Sequence, residues 1–280
     1  MRAIVLAGGK GTRLRPFTTS FPKPLVPIGD VPVLEILLRQ LKSHGVRHVT
    51  VLTGHLAYLI EGYFNDGTAW GLSIDYIRER EPLGTAGPLR QLAGTVTEDF
   101  FVLNGDLLTD LDFGALMRHH RESGAVATVS TFARTEKIEL GVLHVGPTGD
   151  VEGYEEKPTL KFDVSMGVYA MSPAALDRIP PRYYDMPTLI VDLLAAGQRV
   201  ASYRHDGRWL DIGRGDDYDE ANRLFAENPD IFLPRPEPPA RTPDRPEPPA
   251  RTPDRPETSA RTPDRPRRRS SRTTAPRRSR

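Results

Sequence analysis

At 280 residues the chain is long enough for one sizeable α/β domain or two small ones. It contains no cysteine, which excludes disulfides, a thiolate nucleophile and any thiolate metal site. The formal charge of +1 hides two unlike parts: residues 235–280 hold 14 arginines against 6 acids, a net of +8, which leaves −7 on residues 1–234.

Apolar runs reach no more than five residues, so no segment is long enough to span a bilayer. Met1-Arg2 leads into Ala3-Ile4-Val5-Leu6 and then glycines, too short an apolar stretch for a secretory core. A cytoplasmic protein with no membrane partner is expected.

In chain order, residues 3–6 form a short apolar run ending in glycines, as in a buried parallel strand. Leu34, Leu37, Leu38 and Leu41 make a helical stripe over 33–41 that stops near Gly45. Strands are predicted at 46–53, 73–77, 100–103 and 127–132, with helices at 56–64, 86–93 and 113–123. Such alternation indicates an α/β fold, a doubly wound, mostly parallel sheet wrapped by helices. Over 140–171 the pattern changes to three closely spaced strands, read as a small antiparallel subregion beside the main sheet. A helix at 187–196, a strand at 199–203 and a helix at 216–227 complete the predicted domain of residues 1–232.

Residues 233–280 are predicted to be a disordered Pro/Arg-rich tail. From residue 235 it has 12 prolines, no aromatic residue and no aliphatic residue larger than alanine, too little apolar surface to offset chain entropy. A ten-residue repeat begins at Arg241, Arg251 and Arg261 and reads as an extended spacer. The arginine-rich end suits weak polyanion binding, with no specific nucleic-acid partner expected. Ending the chain after residue 228 or 234 is therefore expected to remove no core.

Three features carry chemistry. After the first strand comes Leu6-Ala7-Gly8-Gly9-Lys10-Gly11-Thr12-Arg13-Leu14, where glycines let backbone N–H groups approach phosphate and Lys10 and Arg13 add positive charge. The competing reading is a surface turn with stray charges. Pro22-Lys23-Pro24 and Glu156-Lys157-Pro158 each set a lysine before a proline, which favours an extended backbone there; plain turns are the alternative. Asp106 and Asp211 follow predicted strands, where open α/β sheets place ligands, and two such carboxylates beside phosphates suit Mg²⁺; as isolated residues each is more often a helix or turn cap.

Six segments occur in a telling order: Leu6 to Leu14, Pro22-Lys23-Pro24-Leu25-Val26-Pro27-Ile28, Glu81-Pro82-Leu83-Gly84-Thr85-Ala86-Gly87-Pro88-Leu89, Asn104-Gly105-Asp106, Glu156-Lys157-Pro158 and Trp209-Leu210-Asp211-Ile212-Gly213. Over residues 1–228 the chain resembles the sugar-1-phosphate nucleotidylyltransferases, and within them the mannose- or heptose-1-phosphate guanylyltransferase branch. The resemblance implies an enzyme that joins a sugar 1-phosphate to a nucleoside triphosphate with Mg²⁺ and releases pyrophosphate. By the same resemblance Gly8, Gly9 and Gly11 hold nucleotide phosphates, with Leu6, Ala7, Thr12 and Thr85 also at the nucleotide. Arg13 stabilises the leaving pyrophosphate, Lys23 sits at the reacting phosphates, and Asp106 and Asp211 hold the metal. Glu79 and Gly84 lie where the family contacts the base; Gly141, Glu156 and Lys157 face the sugar and its phosphate. Ser165-Met166-Gly167 departs from the Asn-Ala-Gly of many relatives, which removes one expected sugar contact.

The chemistry is consistent with that resemblance. A phosphate monoester, with a second pKa of about 6, is already an anionic nucleophile near neutral pH. No general base is required, and none of the seven histidines forms a Ser-His or His-Asp constellation in the sequence; His119 and His120 read as surface or structural residues. The problem is to bring two anions together and stabilise the leaving charge, which cations solve. At the base, a carboxylate at Glu79 matches the paired donors of guanine better than uracil or thymine, so GTP is expected; Glu81 is the alternative contact. Alternatives are a glucose-1-phosphate thymidylyl- or uridylyltransferase, and a non-catalytic nucleotide-sugar sensor on the same fold. An oxidoreductase lacks the required glycine spacing, and an oligomer is compatible with the sequence.

Overall fold

The computed structural model describes residues 1–79 and 81–233. Strand β1 (Arg2–Ala7) leads through 3₁₀ turns at Thr12–Leu14, Phe17–Thr19 and Lys23–Leu25 to a short hairpin, β2 (Pro27–Ile28) and β3 (Val31–Pro32). Helix α1 (Val33–Ser43), β4 (His48–Thr53), α2 (Ala57–Phe64) and β5 (Ser73–Arg78) follow in alternation. Next come a 3₁₀ stretch at Gly87–Leu92, β6 (Phe100–Asn104), β7 (Leu107–Thr109), α3 (Phe113–Ser123) and β8 (Ala127–Lys137). Strands β9 (Val142–Val145), β10 (Val151–Glu155) and β11 (Thr159–Met171) precede a 3₁₀ stretch at Pro173–Arg178 and α4 (Met186–Ala195). The described chain closes with β12 (Val200–His205), β13 (Trp209–Asp211), α5 (Gly215–Glu227) and the single turn α6 (Pro229–Phe232).

Seven strands form the main sheet in the order β12-β8-β11-β6-β1-β4-β5. Strand β11 runs antiparallel to both of its neighbours and the other pairs are parallel. Ala3, Ile4 and Val5 of β1 and Phe100 to Leu103 of β6 are fully buried, as strands covered on both faces must be. One face packs on Leu34, Leu37 and Leu41 of α1, Ile60 and Phe64 of α2, and Phe113 and Leu116 of α3. The other packs on Leu89, Ala175 and Leu176, with Leu189 and Leu193 of α4. Helices on both faces make the sheet doubly wound. A third cluster joins Leu14, Ile28, Leu108, Ile212, Phe225 and Phe232, and it fixes the elements that carry the site.

Four expectations change. The helix predicted at 86–93 is a 3₁₀ stretch whose entry is tied to the segment before α4, where the N–H groups of Ala86 and Gly87 both donate to the Tyr184 carbonyl. The three strands of 140–171 are present, but only β9 and β10 form a separate two-stranded sheet. Strand β11 enters the main sheet because 166–171 is an apolar run with most positions buried. Lysines 23 and 157 are not extended. Lys23 opens a 3₁₀ turn closed by Leu25 N–H to Pro22 and Val26 N–H to Lys23, while Lys157, with φ of 48°, turns the chain from β10 into β11. Finally, the segment after residue 228 does contribute core: Phe232 of α6 is fully buried and stacks on Phe225, with ring centroids 6.2 Å apart. The ten-residue repeat and the basic end lie outside the described residues.

Ending the chain after residue 228 should therefore lower the unfolding free energy by about 3–5 kcal/mol, the cost of emptying a buried phenylalanine site. Ending it after residue 234 should change it by less than about 0.5 kcal/mol. Urea unfolding of the two truncations against the full chain checks this, and equal stability of both would contradict the packing of α6.

Candidate active site

The carboxyl ends of β1, β4 and β6 open on one side of the sheet, which is where open α/β sheets bind ligands. Gly8 to Gly11 leave β1 there, and Gly105 and Asp106 leave β6. The two loops meet because Gly105 N–H donates to the Leu6 carbonyl at 2.9 Å; a Cβ on Gly105 would stand 3.2 Å from that oxygen. Asp211 arrives from β13, which pairs antiparallel with β7 so that Asp211 lies opposite Leu107. Ile212 N–H then donates to the Asp106 carbonyl at 3.1 Å, fixing the two aspartate backbones to each other.

Between them lies Lys23. Its Nζ forms an ion pair with Asp106 Oδ2 and reaches Asp211 Oδ1 at 3.3 Å. The side chains of Lys23, Asp106 and Asp211 are 11%, 20% and 42% exposed, so Lys23 and Asp106 sit deeper than Asp211. Pro24 and Leu25 are buried and anchor the turn that presents the lysine. Burial pushes the Asp106 carboxyl up, Lys23 pulls it down, and the Asp211 charge pushes it up again; the net direction is upward. Asp106 Oδ1 is sealed from solvent and has no hydrogen-bond partner among the described residues. A buried acceptor left unpaired is costly, and this one adjoins a second carboxylate, a donor set that fits a hard divalent cation completed by water and phosphate oxygens. Among the described residues no group of three or more His, Asp or Glu side chains forms a metal cage of its own.

The glycine loop packs against this cluster. Gly11 has φ of 59°, and a Cβ there would stand 2.9 Å from Thr18 Cγ2 and 3.3 Å from Lys23 Cβ. The buried Thr18 hydroxyl donates to the Gly11 carbonyl at 2.6 Å and holds that left-handed turn. The Arg13 guanidinium lies over Gly213, where an added Cβ would be 3.6 Å from its Cζ, so a cation borders the Asp211 segment. Lys10 and Thr12 are exposed, and among the described residues nothing lies within 4 Å of where a Cβ on Gly9 would be. That leaves the loop open to a ligand.

Glu79 follows β5 and lies against the same loop. A Cβ on Gly8 would be 2.8 Å from Glu79 Oε1, while Glu79 Oε2 accepts the Leu83 N–H at 3.3 Å. Burial pushes the Glu79 carboxyl up, partly offset by the Leu83 bond. A cleft of about 680 Å³ opens beside it, lined by Tyr76, Ile77, Glu79, Glu81, Leu83 and Gln91. Both glutamates considered from the sequence face this cleft. Its far wall is stitched to the start of α4: Tyr184 N–H donates to Leu83 O, and Thr85 N–H and hydroxyl both donate to Asp185 Oδ1, at 3.0 and 3.3 Å. Thr85 Oγ1 in turn accepts the Met186 N–H at 2.7 Å, so this hydroxyl is committed to the scaffold. Gly84 has φ of 79° and a Cβ there would strike the Tyr184 carbonyl at 2.6 Å, so only glycine fits.

Gly141 lies just before β9, and Glu156 and Lys157 lie between β10 and β11, all three on the connections that flank the β9–β10 pair. Tyr154 bridges two of them: its ring covers Gly141 and its hydroxyl donates to Glu156 at 2.5 Å. The departing Ser165-Met166-Gly167 segment is the bulge where β11 shifts register against β8. Gly167 abuts the Asn104 amide, and Met166 O accepts the Trp209 indole N–H at 3.0 Å, which ties the bulge to the strands carrying Asp106 and Asp211.

Sequence reading missed Thr18, Asp185 and Gly54, whose Cβ would stand 2.7 Å from the Gly8 carbonyl. Thr18 and Asp185 act through contacts over seven and a hundred residues, with no local pattern to mark them. His120 is buried and shares a 2.9 Å hydrogen bond with Thr128, and burial holds its pKa below the usual histidine range. It is a structural residue.

The sequence model for the nucleotidyl transferase family matches residues 2–228. A UTP–glucose-1-phosphate uridylyltransferase of Synechocystis sp. is 36% identical over 84% of this chain and 66% of its own length. The mannose-1-phosphate guanyltransferase beta-B of Xenopus laevis is 35% identical over 78% of this chain and 62% of its own. The chain thus spans somewhat less than two thirds of these curated relatives. Among solved structures, HddC from Yersinia pseudotuberculosis superposes with a TM-score of 0.63 at 24% identity, covering 80% of this chain and 99% of that one. A putative glucose-1-phosphate thymidylyltransferase from Bacillus anthracis gives 0.65 at 22% identity, covering 80% and 94%. These two likenesses show the fold. The match over most of the chain and the order of the site's loops lead to one conclusion: the chain belongs to the nucleotidyl transferase family.

Proposed function

We propose that this protein transfers a nucleotidyl group from a nucleoside triphosphate to a sugar 1-phosphate. The observation that carries the reading is the meeting of Lys23, Asp106, Asp211 and the Gly8–Gly11 loop at the carboxyl ends of the parallel strands, with Arg13 at its edge. A phosphate oxygen of the sugar attacks the α-phosphorus, the bond from that phosphorus to the bridging oxygen breaks, and pyrophosphate leaves with the electron pair. No proton need move, because the nucleophile is already ionised.

Each residue has a part in that step. Backbone N–H groups of Gly8, Gly9 and Gly11 face the phosphates, with the backbone of Leu6, Ala7 and Thr12 shaping the loop. Arg13 neutralises charge building on pyrophosphate, and Lys23 draws the reacting phosphates together against their repulsion. Asp106 and Asp211 would hold Mg²⁺, which when bound supplies the positive charge that screens two meeting anions. Glu79 and the turn at Gly84 meet the base, and Gly141, Glu156 and Lys157 take the sugar and its phosphate. The presence of all four of Arg13, Lys23, Asp106 and Asp211 favours catalysis over a product-sensing role.

The base is read from Glu79. As a carboxylate it would offer only acceptors, which match the adjacent N1–H and 2-amino donors of guanine. Uracil or thymine would set a carbonyl against this half-buried carboxylate and oppose two acceptors, at about 1–3 kcal/mol. We infer GTP as the nucleotide and a mannose-configured hexose or heptose 1-phosphate as its partner, in a cytoplasmic enzyme. The guanylyltransferase name of the Xenopus relative supports this, while the uridylyltransferase of Synechocystis makes a uridylyl enzyme the second reading.

Asp106→Asn and Asp211→Asn should each cut turnover at least about a hundredfold, and excess EDTA should abolish it. Pyrophosphate release measures all three, and full activity in EDTA would remove the metal from the scheme. Glu79→Gln should lower the ratio of kcat/KM for GTP over dTTP by about tenfold, the equivalent of one mismatched buried hydrogen bond. A wild-type preference for dTTP, or a ratio unchanged by the mutation, would show that the base is read elsewhere.

A further inference from the structure

Lys23 occupies the place between the two carboxylates. Its ammonium takes one oxygen from each, Asp106 Oδ2 and Asp211 Oδ1, and leaves Asp106 Oδ1 sealed without a partner. The cluster of one cation and two anions keeps a net charge of −1, so it still attracts positive charge. A lysine ammonium is a compact point charge on a flexible stem, able to leave one partner for another without a change in backbone. The stem is rooted firmly, in a turn whose next two residues, Pro24 and Leu25, are buried.

We propose that Lys23 is an internal counter-cation that holds Asp106 and Asp211 together until a divalent cation displaces it, so that cation entry releases the ammonium toward the triphosphate. The proposal rests on the assignment of these carboxylates to the metal. A divalent cation and the ammonium would compete for the same two carboxylates, and with the former seated the two positive charges would repel. The released lysine then has the incoming phosphates as its nearest anions. Metal and nucleotide binding become mutually reinforcing by this exchange: metal entry presents the lysine, and phosphate holds it away from the carboxylates. Without Lys23 the carboxylates would repel each other across an open crevice; with it the metal-free site stays assembled.

The test is Mn²⁺ binding to the full-length protein without nucleotide, read by electron paramagnetic resonance of free Mn²⁺. Lys23→Gln, which removes the competing charge, should bind Mn²⁺ at least about tenfold more tightly than wild type, while Lys23→Arg, which keeps it, should stay within about threefold. An affinity for Lys23→Gln equal to or below that of wild type, or no binding at all, would overturn the proposal. A second measurement needs no variant: acetic anhydride labelling of wild type, quantified at the Lys23 peptide by mass spectrometry. Mn²⁺ should raise Lys23 labelling at least about threefold as the ammonium leaves its two carboxylates; unchanged or reduced labelling would refute the exchange. Neither readout involves turnover. A protein that passes both but releases no pyrophosphate would fail the functional reading alone.

Discussion

Two carboxylates that share a half-buried crevice repel each other, and the ammonium of Lys23 is what allows Asp106 and Asp211 to remain there. Much of the surrounding architecture serves this contact. The β7–β13 pair and the Ile212 N–H bond set the two aspartates side by side, and the Gly105 approach to Leu6 brings Asp106 up to the glycine loop. The buried turn at Pro24 and Leu25 delivers the lysine from a third direction. Removing one member of a buried pair costs about 3–5 kcal/mol, a figure that the 42% exposure of Asp211 lowers on its side of the cluster. Asp106, with its sealed Oδ1, is therefore the more demanding of the two.

A site made from four distant segments needs a rigid support, and the third core cluster provides it. Leu14 follows the glycine loop, Ile28 the lysine turn, Leu108 lies beside Asp106 and Ile212 beside Asp211, and all four pack with Phe225 and Phe232. The C-terminal helices thus reach the chemistry without touching it. On the other side of the glycine loop, the cleft beside Glu79 takes its shape from hydrogen bonds between 83–87 and 184–186. The glycine loop and the cleft beside Glu79 are in this way supported by separate parts of the core, with Gly8 lying against Glu79 between them.

Much of this was legible in the sequence where the signal is local. The buried strands β1 and β6 announce themselves as apolar runs, β4 by its Val49, Val51 and Leu52, and α1 and α3 by their 3.6-residue stripes and the glycines that end them. The loop at 8–13, Pro22-Lys23-Pro24, and the two aspartates after strands were likewise visible before any fold was drawn. What escaped depends on partners far along the chain. The 86–93 segment has helical composition, but its first donors go to Tyr184; the two- and three-residue strands β2, β3 and β7 are too short to show a period. Lys157 adopts a positive φ against the preference of a residue before proline, because the chain must reverse between β10 and β11. The proximity of Lys23 to both aspartates, 83 and 188 residues away, is a property of the sheet and not of any motif.

The central claim is that this crevice joins a nucleoside triphosphate to a sugar 1-phosphate. Its most direct test crosses GTP, UTP, dTTP, CTP and ATP with mannose, glucose and heptose 1-phosphates on the purified wild-type protein with Mg²⁺, following pyrophosphate release and the nucleotide-sugar formed. The expected result is stoichiometric pyrophosphate and nucleotide-sugar, highest with GTP and a mannose-configured partner. Release of neither product from any pair would contradict the claim.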